Sequence, residues 1–426
     1  MNKLRTTIDM KPQATTTTLP LTSYQKFIIF ILAITQFSVI LDFMVMSPLG
    51  DMLMKSMDLQ PRQFGIAVSA YAFSAGVSGL LTAGFADKFD LKKLLLFFYT
   101  GFVIATFFCG MAHTYPLLVT ARIITGLFGG VIGSISMAII TDLFAPEQRG
   151  RVLGFVQMGF GASQVLGIPI SLHIANLWGW QAPFLMVAAL GAIIAACILF
   201  FMQSITGHLA IQRDRSAFRH LLHTVSQKQY RIGFTATALL SIGGFMMMPF
   251  SSAFAINNLG INTTQLEQLF MVAGIASLVI MPFIGRLSDK MDKFTIFTIA
   301  SVWMMIMVVI YTNLSITPLW QVMILNVLMM MGIMSRMIPS TALATSLPEI
   351  QDRGAFMSIN SSLQQIAGGV AAVVGGMIVT QQSKAHPLEH YNTLGWVVCG
   401  VTLLCIFMVY RVSVLVKQKA AARQQM

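Results

Sequence analysis

Long apolar segments alternate with short polar ones along nearly the whole chain. Windows of about 20 apolar residues, the length that crosses the hydrocarbon core of a bilayer, occur twelve times. They lie at about 27–49, 63–83, 94–112, 117–141, 152–175, 183–204, 232–254, 265–284, 294–312, 319–345, 355–379 and 393–411. The pattern predicts an all-α integral membrane protein with twelve transmembrane helices, called spans 1 to 12, and with both termini on one side.

The composition agrees with lipid as the main solvent of this chain. Of its 426 residues, 56% are hydrophobic and only 10% are charged, whereas soluble domains carry about 25% charged residues. A surface so poor in charge would aggregate in water, which excludes a soluble protein. The four cysteines lie inside apolar segments without disulfide or metal-ligand spacing, so we interpret them as packing residues.

The positive net charge of +12 has a strongly uneven distribution. Of the 27 lysines and arginines, 22 lie in the two terminal segments and in the loops on their side, and only Lys55, Arg62 and Lys384 lie in the opposite loops. Basic loops mark the cytosolic side of a membrane. The distribution therefore predicts cytosolic termini, and we expect no nucleic-acid partner. We further expect a plasma membrane protein, in the bacterial inner membrane.

The polar segments divide the chain into two halves. The leader lacks the apolar core of a signal peptide, and a long linker, which holds His208, His220 and His223, is interpreted as a solvated basic connector rather than a metal site. The predicted divisions are a disordered cytosolic leader at 1–23, six spans at 24–204, a cytosolic linker at 205–231, six spans at 232–411 and a cytosolic tail at 412–426.

The two halves contain related motifs in equivalent places. The run from Asp87 to Asp90 after span 2 matches the run from Asp289 to Asp292 after span 8, and Pro146-Glu147 after span 4 matches Pro348-Glu349 after span 10. The run from Met44 to Pro48 resembles the run from Phe245 to Pro249. Arg149-Gly150 likewise matches Arg353-Gly354. These offsets of 201 to 204 residues indicate an internal duplication.

The loop after span 2 resembles the signature loop of the major facilitator superfamily. Asp87, Lys88 and Lys92 match the motif, while Asp90 replaces one of its glycines, and Asp289 and Lys290 repeat it after span 8. The resemblance implies two pseudo-symmetric six-helix halves around a substrate cavity. It also implies a cytosolic gate built from Asp87, Lys88, Lys92, Asp289 and Lys290. The alternative interpretation is a solvated turn whose charges only set the topology.

One acid and one arginine lie at similar depths inside the membrane. Asp42 lies 16 residues beyond Lys26, roughly 24 Å from the cytosolic face, and Arg122 lies six residues beyond Pro116, roughly 9 Å from the other face. In a core of about 30 Å the two depths agree to within a few ångströms. The family fold places spans 1 and 4 side by side, so a pair is predicted.

Such a pair suits proton coupling. Burial favours the neutral carboxylic acid and a neighbouring guanidinium favours the carboxylate, so moving Arg122 or admitting water would switch Asp42 between holding and releasing a proton. The alternative is a static buried ion pair that stabilises the bundle. We favour the first interpretation because an intramembrane acid is expensive to keep for packing alone.

Other polar side chains inside spans are candidates for the substrate cavity. Gln157 and Gln164 lie on one face of span 5, and Gln365 lies in a similar stripe of span 11; either stripe could instead form hydrogen bonds between helices. Arg336 in span 10 is interpreted as an attractor for an anionic substrate, or as a gating or snorkelling residue. The aromatic Phe37 completes the predicted cavity set, although such rings more often serve packing.

The segment from Gly161 to Pro169 in span 5 resembles the antiporter motif of the drug:proton antiporters, the sugar- and drug-efflux branch of the superfamily, with Ile168 inserted between glycine and proline. This resemblance implies proton-driven export of a small organic molecule, such as a drug, sugar or metabolite, by a monomer that needs a proton gradient and no cofactor. Proton-coupled uptake is the alternative, and a receptor or scaffold without transport is a third. No catalytic constellation is present on an aqueous segment, so we expect no enzyme.

Overall fold

The computed structural model describes residues 21–82, 88–210, 217–349, 351–384 and 386–424. Twelve of its helices are long and apolar enough to cross a membrane, which confirms the predicted fold. The helices that form spans 1 to 6 are Ser23–Val45 with Gly50–Met57, Pro61–Thr82, Leu91–Gly110, Tyr115–Leu143, Pro146–Ala162 with Ser163–Gly167 and Ile168–Trp178, and Gln181–Phe201. Those of spans 7 to 12 are Lys228–Phe245 with Met248–Phe250 and Ser251–Asn257, Thr263–Lys290, Lys293–Thr312, Leu319–Ser346, Arg353–Ile378 and Tyr391–Gln424.

Spans 1 and 7 are broken at equivalent places. The first helix ends at Val45 and a short helix begins at Gly50, with Pro48 between them, while span 7 breaks between Phe245 and Ser251 around Pro249. Proline has no N–H to donate and clashes with the preceding turn of a helix. Each segment was predicted as a single span, and the structure shows that the duplication extends to the breaks within it.

Span 5 changes its helical pitch in the middle. Ser163–Gly167 forms one turn of π-helix, directly before the segment that contains Pro169. Because Pro169 cannot donate a backbone hydrogen bond, the chain is free to insert an extra residue in the preceding turn, as π-turns do. This turn contains Gln164, and its backbone lies against Gly274 of span 8, where a Cβ atom would be 2.9 Å from the Gln164 carbonyl oxygen.

The linker and the tail, both outside the predicted spans, contain helical segments. Within the linker, Ala217–Ser226 forms a helix whose Leu221 packs in a cluster with Phe356. Span 12 continues as one helix to Gln424, so the described part of the predicted tail is helical. Of the predicted leader only residues 21–23 are described, with Thr22 capping the first helix; residues 1–20, and 211–216 of the linker, lie outside the description.

The ends of the twelve-helix bundle are named by their loops. The basic face carries both ends of the described chain and the loops after the even-numbered spans, and the opposite face carries the loops after the odd-numbered spans.

The two halves pack together along spans 2 and 11, where the backbones approach closely because the residues in contact are glycines. A Cβ atom at Gly65 would lie 2.5 Å from the Ala372 carbonyl oxygen, and one at Gly376 would lie 2.8 Å from that of Pro61.

Candidate functional site

Asp42 and Arg122 meet inside the N-terminal half. Arg122 Nη1 donates to Asp42 Oδ2 over 2.7 Å, and both side chains have no exposed surface. Thr106 on span 3 donates its hydroxyl to Asp42 Oδ1 over 3.2 Å. The predicted pair is therefore brought together, as a charge-assisted contact between spans 1 and 4 with support from span 3.

The break in span 1 contributes a further acceptor to this pair. Because the helix ends at Val45, the N–H of Met46 donates to the carbonyl of Met44. The carbonyl oxygen of Asp42 in the last turn accepts a second contact from Arg122 Nη1, at 3.4 Å. Carbonyl groups in the last turn of a helix lack intrahelical partners. The proline break therefore leaves the Asp42 carbonyl oxygen, as well as its carboxylate, available to Arg122.

Arg122 is incompletely satisfied by the described residues. Its Nε and Nη2 atoms are buried and have no hydrogen-bond partner within the described ranges. Buried donors without partners cost about 1–3 kcal/mol each, and more when the group is charged. The pair is therefore held at a cost, which suits a site whose surroundings change between conformations better than a purely structural contact.

A row of aromatic rings leads from the pair to the other half of the molecule. The Arg122 guanidinium lies 4.6 Å from the centre of the Tyr71 ring on span 2. Tyr71 contacts Phe43, with ring centres 5.3 Å apart, and Phe43 contacts Phe245 of span 7 at 5.9 Å. Phe43 and Phe245 also line a small cavity of about 20 Å³ between the halves. The row places two rings of the N-terminal half, Tyr71 and Phe43, between Arg122 and the seam of the two halves.

A stripe of small residues on span 4, formed by Gly126, Gly129 and Gly133, brings span 2 close to the pair. A Cβ atom at Gly126 would lie 2.4 Å from the Tyr71 carbonyl oxygen, and one at Gly129 would lie 2.9 Å from the Tyr71 hydroxyl. Gly133, further along the same stripe, has nothing within 4 Å. The two glycines therefore set the position of the aromatic ring beneath Arg122.

Arg336 lies within the C-terminal half, against span 9. Its side chain is buried, its guanidinium lies 5.5 Å from the ring of Phe297, and Nη1 contacts the sulfur of Met304 at 2.7 Å. Both neighbours belong to span 9. No carboxylate among the described residues pairs with Arg336. A role in the cavity stays a prediction.

The remaining candidate cavity residues lie on spans 1, 5 and 11. Gln157 is exposed and Gln365 is half-buried, while Gln164 lies in the π-turn against span 8. Phe37 is half-buried at the crossing of spans 1 and 5, where Gly159 approaches its backbone nitrogen. The larger described cavity, of about 600 Å³, is elsewhere: it lies on the basic face of the C-terminal half.

The candidate gating residues are only partly described. Asp87 lies outside the described residues, and so does the side chain of Asp289. Lys88 and Lys290 are exposed on the basic face. Lys92 donates from Nζ to the carbonyl oxygen of Leu199 in span 6 over 3.0 Å, a contact within its own half. The gating role of this set stays a prediction.

Asp90 has a structural task that the motif comparison missed. It caps span 3 by accepting from the N–H of Lys92 (2.9 Å), and it accepts from the hydroxyl of Ser204 (2.6 Å) and the N–H of Ile205 (3.0 Å) beyond span 6. Partial burial raises the pKa of Asp90, but these hydrogen bonds outweigh it and leave the pKa below its usual value. The sequence signal for such a cap is an aspartate directly before the apolar segment that forms the helix.

Asp292 repeats the arrangement in the second half. It accepts from Lys417 Nζ over 2.8 Å and from the N–H of Thr295 over 3.1 Å, at the start of span 9. The hydrogen bond from Lys417 is the main cause that holds the pKa of Asp292 below its usual value. In both halves, therefore, an acid in place of a motif glycine ties the third helix to the end of the sixth.

We expect Asp90→Ala to lower the free energy of unfolding by about 1–2 kcal/mol, because a helix cap and two further hydrogen bonds are lost. Thermal unfolding in detergent measures this effect. Since the folded pKa is lowered, the wild-type advantage should be present at neutral pH and disappear as the pH falls through that pKa. Asp58→Asn is the control, because Asp58 is 81% exposed and pairs with Lys384 at the surface. Equal stability of the two variants at neutral pH would contradict the capping role.

Comparisons with known proteins agree with this architecture. The model of the family described as Major Facilitator Superfamily matches residues 32–225 and 233–425. The chain is 25% identical over 382 residues to the MFS-type transporter YbcL of Bacillus subtilis, covering 89% of this chain and 95% of the relative. It is 23% identical to the multidrug resistance protein MdtH of Shigella flexneri, covering 93% and 96%.

Solved structures share the fold at low sequence identity. A D-xylose-proton symporter superimposes with a TM-score of 0.75 and 17% identity, covering 91% of this chain and 97% of that protein. A bacterial homologue of the human lysosomal transporter Spinster, in an inward-facing and unoccupied conformation, gives a TM-score of 0.70 and 15% identity, covering 94% and 96%. At these sequence identities the comparisons show a shared arrangement of helices.

Proposed function

This chain belongs to the Major Facilitator Superfamily, and from that premise we propose that it is a secondary transporter that exports a small organic molecule in exchange for protons. The observation that carries the proposal is the contact of Asp42 with Arg122. An intramembrane acid is costly and typically marks an ion or proton pathway. Here the acid is fully buried and bonded to an arginine with unused donors, and two aromatic rings separate that arginine from the seam between the halves.

Asp42 is the proposed proton carrier, and Arg122 positions its charge. When the carboxylate is bonded to Arg122, the ionised form is favoured; when the two separate, burial favours the protonated form. Alternating access would change this balance through the row of rings, because relative movement of the halves alters the contact of Phe43 with Phe245. Loss of that contact frees Tyr71 to shift beneath the guanidinium. One movement can then open the cavity and change the protonation of Asp42.

The direction of transport rests on the resemblance of span 5 to the antiporter motif and on the relative named as a multidrug resistance protein. Uptake together with a proton is the second candidate, because one of the solved structures of the same fold is a D-xylose-proton symporter. The candidate cavity residues Gln157, Gln164, Gln365, Arg336 and Phe37 belong to this proposal. So do the candidate gating residues Asp87, Lys88, Lys92, Asp289 and Lys290.

The proposed setting is the bacterial inner membrane, with a monomer whose basic face lies in the cytosol. Single cysteines at Gln227 and Lys384, in a protein without the four native cysteines, test this orientation because they lie at opposite faces. We expect an impermeant maleimide added to intact cells to label Lys384→Cys and to leave Gln227→Cys unlabelled. Labelling of both positions, or the reverse pattern, would contradict the proposed topology.

Transport into inverted vesicles tests the direction. We expect a lumen made acidic relative to the bath to drive accumulation of at least one compound from a panel of drugs, sugars and metabolites. Collapse of the pH gradient should stop the accumulation. Accumulation only when the gradient is reversed would favour uptake, and gradient-independent equilibration of every transported compound would contradict proton coupling.

A further inference from the structure

The cavity of about 600 Å³ on the basic face lies outside the candidate transport site. Its wall is formed by the linker helix Ala217–Ser226, the first turn of span 7, the loop between spans 10 and 11, and span 12. Its ionisable lining residues are His223, Lys228, Tyr230, Glu349, Asp352 and Arg411. None of them belongs to the candidate proton, cavity or gating residues.

The two carboxylates of this cavity are already held by groups of the protein. Asp352 is 6% exposed and accepts from the hydroxyl of Tyr230 over 2.9 Å. Glu349 is bonded to Lys419 of span 12, and its backbone N–H donates to the same Tyr230 hydroxyl over 3.1 Å. The inner wall is therefore a fixed polar surface whose negative charges have partners.

The two cations at the rim differ from these acids. Lys228 and Arg411 are exposed, and neither forms an ion pair with a carboxylate among the described residues. One cavity thus receives a cation from each of two helices, spans 7 and 12. The first turn of span 7 adds backbone N–H groups, because Gln227 before it provides no side-chain cap. This rim is complementary to a group with negative charge and several oxygen acceptors.

An exposed apolar stripe of span 12 leads to the same rim. Leu404, Phe407 and Arg411 follow one another at spacings of three and four residues, so they lie on one face of the helix. Leu404 is 59% exposed and Phe407 is 56% exposed. On a helix that crosses a bilayer, such a face contacts acyl chains, and an arginine at its end reaches the headgroup layer. The cavity is therefore adjacent to the surface where lipid headgroups lie.

We propose that this cavity binds the headgroup of an anionic phospholipid, with the phosphate between Lys228 and Arg411 and an acyl chain along Leu404 and Phe407. Basic pockets at the cytoplasmic ends of transmembrane helices suit such headgroups, because the phosphate is attracted there while the chains stay in the bilayer. The bound lipid bridges spans 7 and 12 and stabilises the C-terminal half. The site is independent of the proposed transport chemistry.

Native mass spectrometry of the full-length protein in detergent measures binding directly. The probe is dioleoylphosphatidylglycerol, added to protein stripped of lipid. Dioleoylphosphatidylcholine is the comparison lipid, with the same chains and no net charge. The test variant is Lys228→Gln with Arg411→Gln. The matched control is Lys26→Gln with Arg286→Gln, which removes two charges from exposed positions of the basic face outside the cavity. Lys26 lies 202 residues before Lys228, within the offset of the repeat.

We expect the first phosphatidylglycerol to bind the wild type at least about tenfold more tightly than phosphatidylcholine, because two cations face its net negative charge. The test variant should bind phosphatidylglycerol at least about tenfold more weakly, whereas the control should stay within about twofold of wild type, since its charges lie outside the cavity. Bound phosphatidylglycerol should also raise the thermal unfolding temperature of the wild type and leave that of the test variant unchanged.

Equal losses in the test and control variants, or no preference for phosphatidylglycerol over phosphatidylcholine, would overturn the proposal. Glycerol 3-phosphate and inorganic phosphate in large excess should not displace the lipid, because they lack acyl chains. Displacement by either would assign the cavity to a soluble phosphate compound and contradict a lipid site.

A photoreactive lipid decides the question if the test variant does not fold. Phosphatidylglycerol with a diazirine in its acyl chain should label the wild-type peptide that contains Leu404 and Phe407 more strongly than phosphatidylcholine with the same group does. Equal labelling of that peptide by the two lipids would contradict the proposed site.

Discussion

Asp42→Asn is expected to abolish transport against a gradient while leaving substrate exchange nearly intact. The amide has the shape of the protonated acid but cannot release a proton. Movement of substrate can therefore no longer be coupled to movement of protons. We expect gradient-driven accumulation in vesicles to fall to background, at least about a hundredfold. Exchange of labelled for unlabelled substrate, which needs no net proton movement, should remain within about threefold of wild type.

The control for this variant is Asp58→Asn, which makes the same chemical change at an exposed site. It should accumulate substrate at the wild-type rate. Thr106→Val provides a graded comparison, because it removes only the hydroxyl that donates to Asp42 over 3.2 Å, and should reduce accumulation by a few fold. Wild-type accumulation by Asp42→Asn would mean that Asp42 and Arg122 form a structural pair.

Arg122→Met is expected to produce the largest loss of stability, about 3–5 kcal/mol, because it leaves a fully buried carboxylate without its partner. The double variant Asp42→Asn with Arg122→Met should recover at least half of this loss, since no charge is then stranded. Thermal unfolding of the wild type, both single variants and the double variant in one detergent gives the coupling free energy of the pair.

Arg336→Met is the matched control for stability. Arg336 is as buried as Arg122, but no carboxylate among the described residues pairs with it. Its removal strands no charge, so we expect a change within about 1 kcal/mol, or a gain in stability. If Arg336→Met and Arg122→Met lose equal stability, the cost comes from packing of a long side chain. The loss in Arg122→Met would then not be explained by the ion pair with Asp42.

The twelve spans were predictable because lipid imposes a simple requirement. Each crossing needs about 20 apolar residues whose backbone groups are satisfied internally, and this demand is visible in hydropathy alone. The ends of the helices follow other rules. Span 5 begins at Pro146 and span 12 continues to Gln424, because a helix can extend into water where hydropathy no longer reports on it. The linker helix Ala217–Ser226 is too short and polar for the same test.

The pairing of Asp42 with Arg122 was predictable because each is the unusual charge in its own apolar segment, so depth along the helix was enough to match them. Asp51, which accepts from Asn257 Nδ2 of the other half over 2.6 Å, offered no such signal. It lies beyond the break at Pro48, where an acid resembles an ordinary loop residue, and its partner Asn257 is 206 residues away. The repeat of Pro48 as Pro249 was a partial signal for this contact, because equivalent segments of the two halves can meet only near the symmetry axis.

Substrate-dependent proton movement tests the central claim most directly. In vesicles with a trapped pH-sensitive dye and no imposed gradient, a transported compound moving down its own gradient should drive protons in the opposite direction. The account predicts this counter-flow in the wild type and its loss in Asp42→Asn, with substrate movement still detectable in exchange. Proton flow in the same direction as substrate would indicate uptake, and wild-type substrate movement without any change of pH would contradict proton coupling.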